Sequence, residues 1–406
     1  MPETQKSEGL HVGEGICAPS GFLAGGHTCG IKPSGEPDLA VLLATEGPAT
    51  VAGVFTRNRF AAPSVRYNRA IVGRGQARAI VTNSGIANAA TGQPGFDNTM
   101  ELARLTGERF QIPPDQVLVC STGIIGVQLP MEKLATGVAA ISVGREGGRA
   151  AAGAIMTTDA GPKLGQHTLA VGGGQVTIGA MCKGAGMIHP NMATMLAYMT
   201  TDAAIGRDVL QQLTTEVAEE TFNAVSIDGD SSTNDSLLVL ASGASGIELA
   251  PDHPDWSKFR SAFRDLAWDM AESIVAGGEG VNQVFVVQVN GASSQEQARL
   301  IARTITTSLV VKRAVGGADP IFGRILCAAG YSGAEFDPER MDLHLGEVQT
   351  MRKGLPIEFD PEQASAVLAR PRSTITLDLH SGVFRARAVG CDLSAEYVAF
   401  NSEYTT

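Results

Sequence analysis

Through the first half of the chain, apolar positions come in short runs rich in β-branched residues, each closed off by Gly, Pro, Asn or Ser. Asp38–Ala44, Thr50–Thr56, Ala79–Asn83 and Gln116–Cys120 are such runs, and they predict strands. Between them the apolar spacing lengthens to three and four. Met100, Leu102, Leu105 and Phe110 predict a helix that begins at a cap on Asp97 or Asn98 and runs through Phe110. Met131–Val143 predicts a second helix. Further on, Arg207–Phe222, Trp256–Ala276 and Ser294–Leu309 carry apolar stripes of helical period, the last with Ser293 or Ser294 as cap. The tail returns to strands at Met341–Leu345, Thr374–Leu379 and Val383–Val389, the last two joined at His380-Ser381-Gly382. Glu248–Asp255 and Phe359–Glu362 read as loops. Strands and helices interspersed in this way predict an α/β or α+β fold and argue against all-α and all-β classes.

Composition narrows the class of partner. Of 406 residues, 44% are hydrophobic and 18% charged, which suits a globular chain with a sizeable core. Net charge is −11 with no Lys/Arg cluster, so a nucleic-acid partner is not expected. The six cysteines show no metal-ligand spacing and no CxxC, so neither a metal site nor a disulfide framework is expected. Met1–Lys6 has no apolar signal core, and no run of about 18 apolar residues occurs; the expectation is a cytoplasmic protein with reduced thiols and no membrane span.

Several motif-like stretches carry little. Gly13-Glu14-Gly15-Ile16-Cys17-Ala18 fits a dinucleotide fingerprint in letters only, because no strand precedes it and Pro19-Ser20-Gly21 follows where a helix is needed. There is no phosphate-binding P-loop, no GxSxG elbow and no HExxH pair. Asp228–Asp235 is a dense polar run without the spacing of a calcium loop. It reads first as a turn whose side chains bond the backbone, and second as part of an active-site wall. His189 reads as structural.

The stretch with chemical content is Lys183–Leu196. Small residues precede Ala193-Thr194, and the apolar run Met195–Met199 follows as a buried strand. A threonine hydroxyl is a weak nucleophile without a base. If the bond before Thr194 were cut, the freed α-amine, with an ordinary pKa of about 7.7–8.0, would sit beside that hydroxyl and accept its proton. The cut itself would be an N-to-O acyl shift, with Thr194 attacking the Ala193 carbonyl.

This segment resembles the processing site of the glutamate N-acetyltransferase family, also called ornithine acetyltransferase. Other blocks resemble that family in matching order: Val54–Asn58, Thr82–Ala89, Ser121–Gly126, Ala154–Asp159, Asp228–Asp235, Gly278–Gly280, Asp319-Pro320 with Gly323-Arg324, and Cys391–Leu393 through Asn401–Thr406. The resemblance implies an αββα sandwich like that of N-terminal-nucleophile hydrolases, with a smaller α/β subdomain at about 285–406. It also implies a chain cut into 1–193 and 194–406. The implied reaction moves acetyl from N-acetylornithine to glutamate by a ping-pong route, with acetyl-CoA as a second donor in some members, no cofactor, and an assembly of two fragments of each kind. The implied nucleophile is Thr194 and the implied oxyanion hole is Thr122 with Gly123. The implied substrate-binding residues are Thr157, Lys183, Thr194, Glu279, Asn401 and Thr406.

The sequence departs from the family pattern where Val281-Asn282-Gln283 replace a lysine-bearing stretch, at Ile321-Phe322, and at Arg313. These departures bear on specificity and leave room for a specialised paralogue. Two other readings share the cleavage motif: an aminopeptidase or amidase with water as acceptor, and a processed binding protein without catalysis.

Overall fold

A computed structural model describes residues 13–189 and 195–403. In chain order the elements begin with β1 (Phe22–His27), β2 (Leu39–Ala44), β3 (Ala49–Phe55), α1 (Pro63–Val72), β4 (Gln76–Ala77), β5 (Ala79–Ile86) and α2 (Gly92–Phe110). They continue with β6 (Val117–Ile124), α3 (Met131–Ala140), α4 (Gly148–Ala154), β7 (Lys163–Val171) and β8 (Gly174–Lys183). After the undescribed segment come β9 (Leu196–Thr201), α5 (Arg207–Glu220), β10 (Val225–Ser226), β11 (Ser236–Ala241) and α6 (Trp256–Ala276). The last third holds β12 (Val284–Ala292), α7 (Gln295–Thr307), α8 (Leu309–Gly316), α9 (Gly323–Gly330), β13 (Asp342–Leu345) and β14 (Val348–Arg352). It closes with β15 (Leu355–Pro356), α10 (Pro361–Leu368), β16 (Arg372–Asp378), β17 (Phe384–Cys391) and α11 (Ala395–Glu403).

The layering follows from strands that are apolar on both faces, which must be covered twice. In β2, Leu39, Val41 and Leu43 pack with Leu102 and Ala103 of α2 and Leu134 and Val138 of α3. The alternate residues Ala40, Leu42 and Ala44 face the second sheet. That sheet divides in the same way. Leu196 and Tyr198 of β9 and Leu238 and Leu240 of β11 point toward the first sheet, while Ala197, Met199, Leu237 and Val239 pack on α5 and α6. The result is the αββα sandwich that was expected. Its sheets run β1-β2-β5-β6 and β4-β3-β11-β9-β8-β7. Tyr198 bridges the layers with its hydroxyl 2.9 Å from Thr82 Oγ1.

A third sheet, β10-β17-β12-β16-β13-β14-β15, carries α7–α10 on one face. On its other face Val284, Val286, Val389 and Cys391 join the core under α6. Of the six cysteines, all free, Cys17, Cys120, Cys182 and Cys391 are buried, Cys29 is half-buried and Cys327 is exposed.

Several expected boundaries shift. The helix expected from Asp97 or Asn98 begins at Gly92 instead. Its first turn is anchored by a tertiary contact, with the Asn88 amide donating to the Gly95 carbonyl and to Thr99 Oγ1. The second helix stops at Ala140, because Ile141 turns extended to enter the core. Ser294 does cap α7, accepting from Gln297 N, but the stripe to Leu309 breaks at the extended Ser308 and restarts as α8. Phe359–Glu362 is a helix start rather than a loop: Asp360 caps α10 by accepting from Glu362 N and Gln363 N. The strands on either side of His380–Gly382 are not neighbours, since β12 lies between them.

Candidate active site

The strand ends of both stacked sheets and α11 surround a cavity of about 260 Å³. It is lined by Thr122, Gly123, Thr157, Lys183, Glu279 and Asn401, which the chain brings together from five separate stretches. Ala193, Thr194 and Thr406 lie outside the described residues.

Lys183 is the last residue of β8 and is 4% exposed. Its ammonium donates to Thr122 Oγ1 at 3.1 Å and to Thr157 Oγ1 at 2.8 Å. Each hydroxyl therefore accepts from the lysine and keeps its own proton to donate into the cavity. Burial pulls the Lys183 pKa below the ordinary lysine value, and the Asp159 carboxylate is the chief opposing influence. Asp159 accepts from the Lys163 ammonium and from Gly184 N (2.8 Å) through one oxygen, and from Thr157 N (3.1 Å) through the other. Burial alone would raise its pKa. The ammoniums of Lys183 and Lys163 outweigh that and hold it below the usual carboxylate range.

Gly123, beside Thr122 at the end of β6, has φ of +127°, and a Cβ there would fall 2.2 Å from the Gly85 carbonyl carbon. Only glycine lets β5 and β6 close at this point. Thr122 and Gly123 thus present a hydroxyl and a tightly turned backbone toward the lysine.

Glu279, also in the lining, follows α6 in a glycine-rich turn. Its carboxylate accepts from the Thr158 hydroxyl and, at 3.0 Å, from the Asn401 amide of α11. The carboxylate packs on Gly186, where a Cβ would lie 2.6 Å from Oε2. Residues 184–188 are pinned by further bonds. Glu279 N donates to Ala185 O at 2.9 Å, while Asp228 accepts from Met187 N and, at 2.9 Å, from Ile188 N. Tyr397 of α11 donates to the same Asp228 at 3.1 Å. Burial raises the Asp228 pKa.

The Asp228–Asp235 run serves in both ways expected of it. Asp228 and Asn234 bond backbone, Asn234 donating to Ala87 O and Ser121 O, and the run also lines the cavity. His189 Nδ1 is 3.4 Å from Ser226 Oγ. Thr158, Asp159, Lys163 and Tyr397 were not singled out from the sequence. Asp159 was in view inside the Ala154–Asp159 block, but nothing in the spacing marks it as the counterion of a lysine 24 residues on.

A buried ammonium and a carboxylate share one small polar cavity at the open ends of an αββα sandwich, a site built for a small substrate carrying charges of both signs. The chain belongs to the ArgJ family, whose model matches residues 23–406. It is 45% identical over 397 residues to the "Arginine biosynthesis bifunctional protein ArgJ" of Symbiobacterium thermophilum, covering 97% of this chain and 98% of that protein. The protein of the same name in Dehalococcoides mccartyi is 43% identical over 394 residues, at 96% and 97% coverage. Two solved structures are each 40% identical. One is arginine biosynthesis bifunctional protein argJ from Bacillus halodurans (TM-score 0.49, 50% of this chain and 97% of that one). The other is ornithine acetyltransferase complexed with ornithine from Mycobacterium tuberculosis (TM-score 0.42, 46% and 98%). No helix among the described residues is long and apolar enough to cross a membrane.

Proposed function

We propose that the chain is a self-cleaving acetyltransferase of arginine biosynthesis that moves acetyl from N-acetylornithine to glutamate through Thr194. The observation that carries this reading is that Lys183 and Glu279 line one cavity together with Thr122-Gly123. The Lys183 ammonium matches the α-carboxylate of an amino acid, and Glu279 matches the side-chain ammonium of ornithine. Between them the acetyl carbonyl would meet the Thr122 hydroxyl, whose proton is free because its oxygen already accepts from Lys183.

Covalent connectivity supports Thr194 as the attacking group. Lys183 pairs with Leu196 across β8 and β9, so the nucleophile lies two residues before a position fixed opposite the lysine. In this reading Ala193-Thr194 is cut. The α-amine of Thr194 takes the hydroxyl proton, the hydroxyl takes the acetyl group with Thr122 and Gly123 steadying the oxyanion, and ornithine leaves. Glutamate then enters and its amine removes the acetyl group. Asn401, through Glu279, and Thr157, through Lys183, hold the two charged anchors in place, and Thr406 is assigned to the substrate pocket. The working unit comprises fragments 1–193 and 194–406, the second ending in the subdomain at about 285–406, assembled as two of each.

The test is direct. Purified protein should separate into fragments of 193 and 213 residues, and the second should begin Thr-Met-Leu-Ala-Tyr. With N-acetylornithine alone it should gain one acetyl group on the second fragment, and it should turn over only when glutamate is added. A wild-type chain that stays whole while fully active would refute the reading. Acetate release at full rate without glutamate would make the protein a hydrolase instead.

A further inference from the structure

A second cavity, of about 590 Å³, opens where α5 and α6 of the sandwich meet β12, α7 and β17. It shares no lining residue with the site described above, and its size is that of an ordinary small-molecule pocket. Five arginines line it, Arg264 from α6, Arg299 and Arg303 from α7, and Arg385 and Arg387 from β17. Each pair has the spacing of its element. Arg299 and Arg303 stand one turn apart on α7. Arg385 and Arg387 share a face of β17, and the same face continues into Val389 and Cys391 under α6, while Ala386 and Ala388 between them turn into the core on the other side. A chain of net charge −11 thus gathers positive charge at one place, from stretches too far apart to form a cluster in the sequence.

The three carboxylates of the lining already have partners. Glu219 accepts from Asn223 Nδ2 at 2.9 Å, Glu220 pairs with Arg260 at 3.2 Å, and Asp265 pairs with Arg264 at 3.1 Å. Among the described residues, Arg299, Arg385 and Arg387 form no ion pair. The Arg387 guanidinium lies 3.7 Å from the centroid of the buried Trp268 ring, which fixes its plane and covers one of its faces. Loss of hydration pulls the Arg387 pKa down to about 10, against the more distant carboxylates of Glu272 and Asp265. Glu272 is itself bonded to Arg372. Like charges held this close repel, and an anion among them would replace the repulsion with charge-assisted hydrogen bonds to planar, two-pronged donors.

We propose that this cavity is a binding site for a small polyanion, a molecule carrying two or more phosphate or carboxylate groups, held by Arg299, Arg385 and Arg387. The site is separate from the acetyl-transfer chemistry and does not depend on whether the chain is cut. Because α6 of the sandwich and β17 of the third sheet both line it, the bound anion ties these two layers together.

Pyrophosphate and citrate, one probe for each kind of anionic group, are titrated by calorimetry into the purified full-length protein at about 0.15 M salt. The expected result is saturable binding of at least one of them, one per chain, with Kd below about 1 mM. The tighter of the two tells phosphate from carboxylate. Arg299→Gln and Arg387→Gln should each weaken that binding about tenfold or more, the scale set by loss of one charged hydrogen bond. Lys183→Met, in the other cavity, should leave it unchanged. Failure of both anions to saturate overturns the proposal, and so does wild-type affinity in the two arginine variants. Binding that is lost in Lys183→Met and kept in the arginine variants would place the anion in the other cavity and overturns it equally. If Arg387→Gln does not fold, because it uncovers Trp268, Arg299→Gln on the half-exposed face of α7 decides alone.

Discussion

Asp159→Asn is the most searching perturbation of the site, because it keeps the shape of the side chain and removes one charge. The Asp159 side chain is wholly buried, and that of its partner Lys163 is only 7% exposed. The substitution leaves two buried ammoniums, Lys163 and Lys183, without the carboxylate that compensates both. Removing one member of a buried pair costs about 3–5 kcal/mol. With an unfolding entropy of about 2.1 cal/mol/K per residue, a cooperative unit of 406 residues would lose about 4–6 °C in melting temperature. The folded pKa of Asp159 is depressed, so its contribution is present above the ordinary carboxylate range and is lost as pH falls through the folded value. The gap between wild type and variant should therefore close in acid. A second effect should appear in kinetics. Lys183 already has a lowered pKa, and without Asp159 it falls further. The form that binds a carboxylate is the ammonium, which exists below that pKa, so KM should begin to rise at a lower pH in the variant. Differential scanning calorimetry across pH and KM–pH profiles for N-acetylornithine measure both. A melting shift under about 1 °C together with an unchanged KM profile would refute the argument that Asp159 is the counterion of this site.

If Thr122 serves the oxyanion as proposed, Thr122→Ala removes that donor and kcat for acetyl transfer should fall by roughly 10²–10³ with the fold retained; a change in KM alone would show that the hydroxyl serves only binding. Glu279→Gln can keep both contacts, its oxygen accepting from the Asn401 amide while the Thr158 hydroxyl turns to accept from the new amide, but it loses the charge. A charged hydrogen bond worth about 1.5–3 kcal/mol corresponds to a loss of about ten- to a hundredfold in the rate of acetylation from N-acetylornithine, measured as mass gain before glutamate is added. Acetylation at the wild-type rate with unchanged half-saturation would remove Glu279 from the donor site.

Much of the sandwich was legible because its central strands must be apolar on both faces. Runs such as Leu39–Ala44 therefore stand out from amphipathic neighbours. The β7–β8 hairpin did not stand out, since in the outer half of β7 the exposed Thr168 and Ala170 alternate with the buried Leu169 and Val171 and leave no continuous apolar run. The start of α2 was misjudged because Asn88, four residues upstream of Gly92, supplies a contact that no local capping rule contains. The start of α10 was different. Asp360-Pro361 carries an ordinary capping signal, and the short helix after it was passed over. At the site, Lys183, Thr122 and Glu279 came into view through the family blocks. Asp159, Asp228 and Tyr397 act across long separations, and a pairing such as Tyr397 with Asp228, 169 residues apart, exists only once three sheets have assembled.

The order of the six-stranded sheet has a consequence for the life history of the molecule. Strands β9 and β11, from beyond residue 194, are inserted between β3 and β8, from before it. A break at 193/194 therefore would not separate two modules; it would divide one sheet whose two central strands come from one piece and whose flanking strands come from the other. Neither piece alone contains the neighbours that its own central strands require, so unpaired edges and bare apolar faces would be exposed on each. The severed molecule would behave like a split protein that was assembled while still one chain. Its halves would stay together through strand pairing, and once unfolded they would have to find each other again by collision. Refolding of the cut form should thus depend on protein concentration, whereas folding of the uncut precursor should not, and the continuous polypeptide would serve as the template for an assembly that outlasts it.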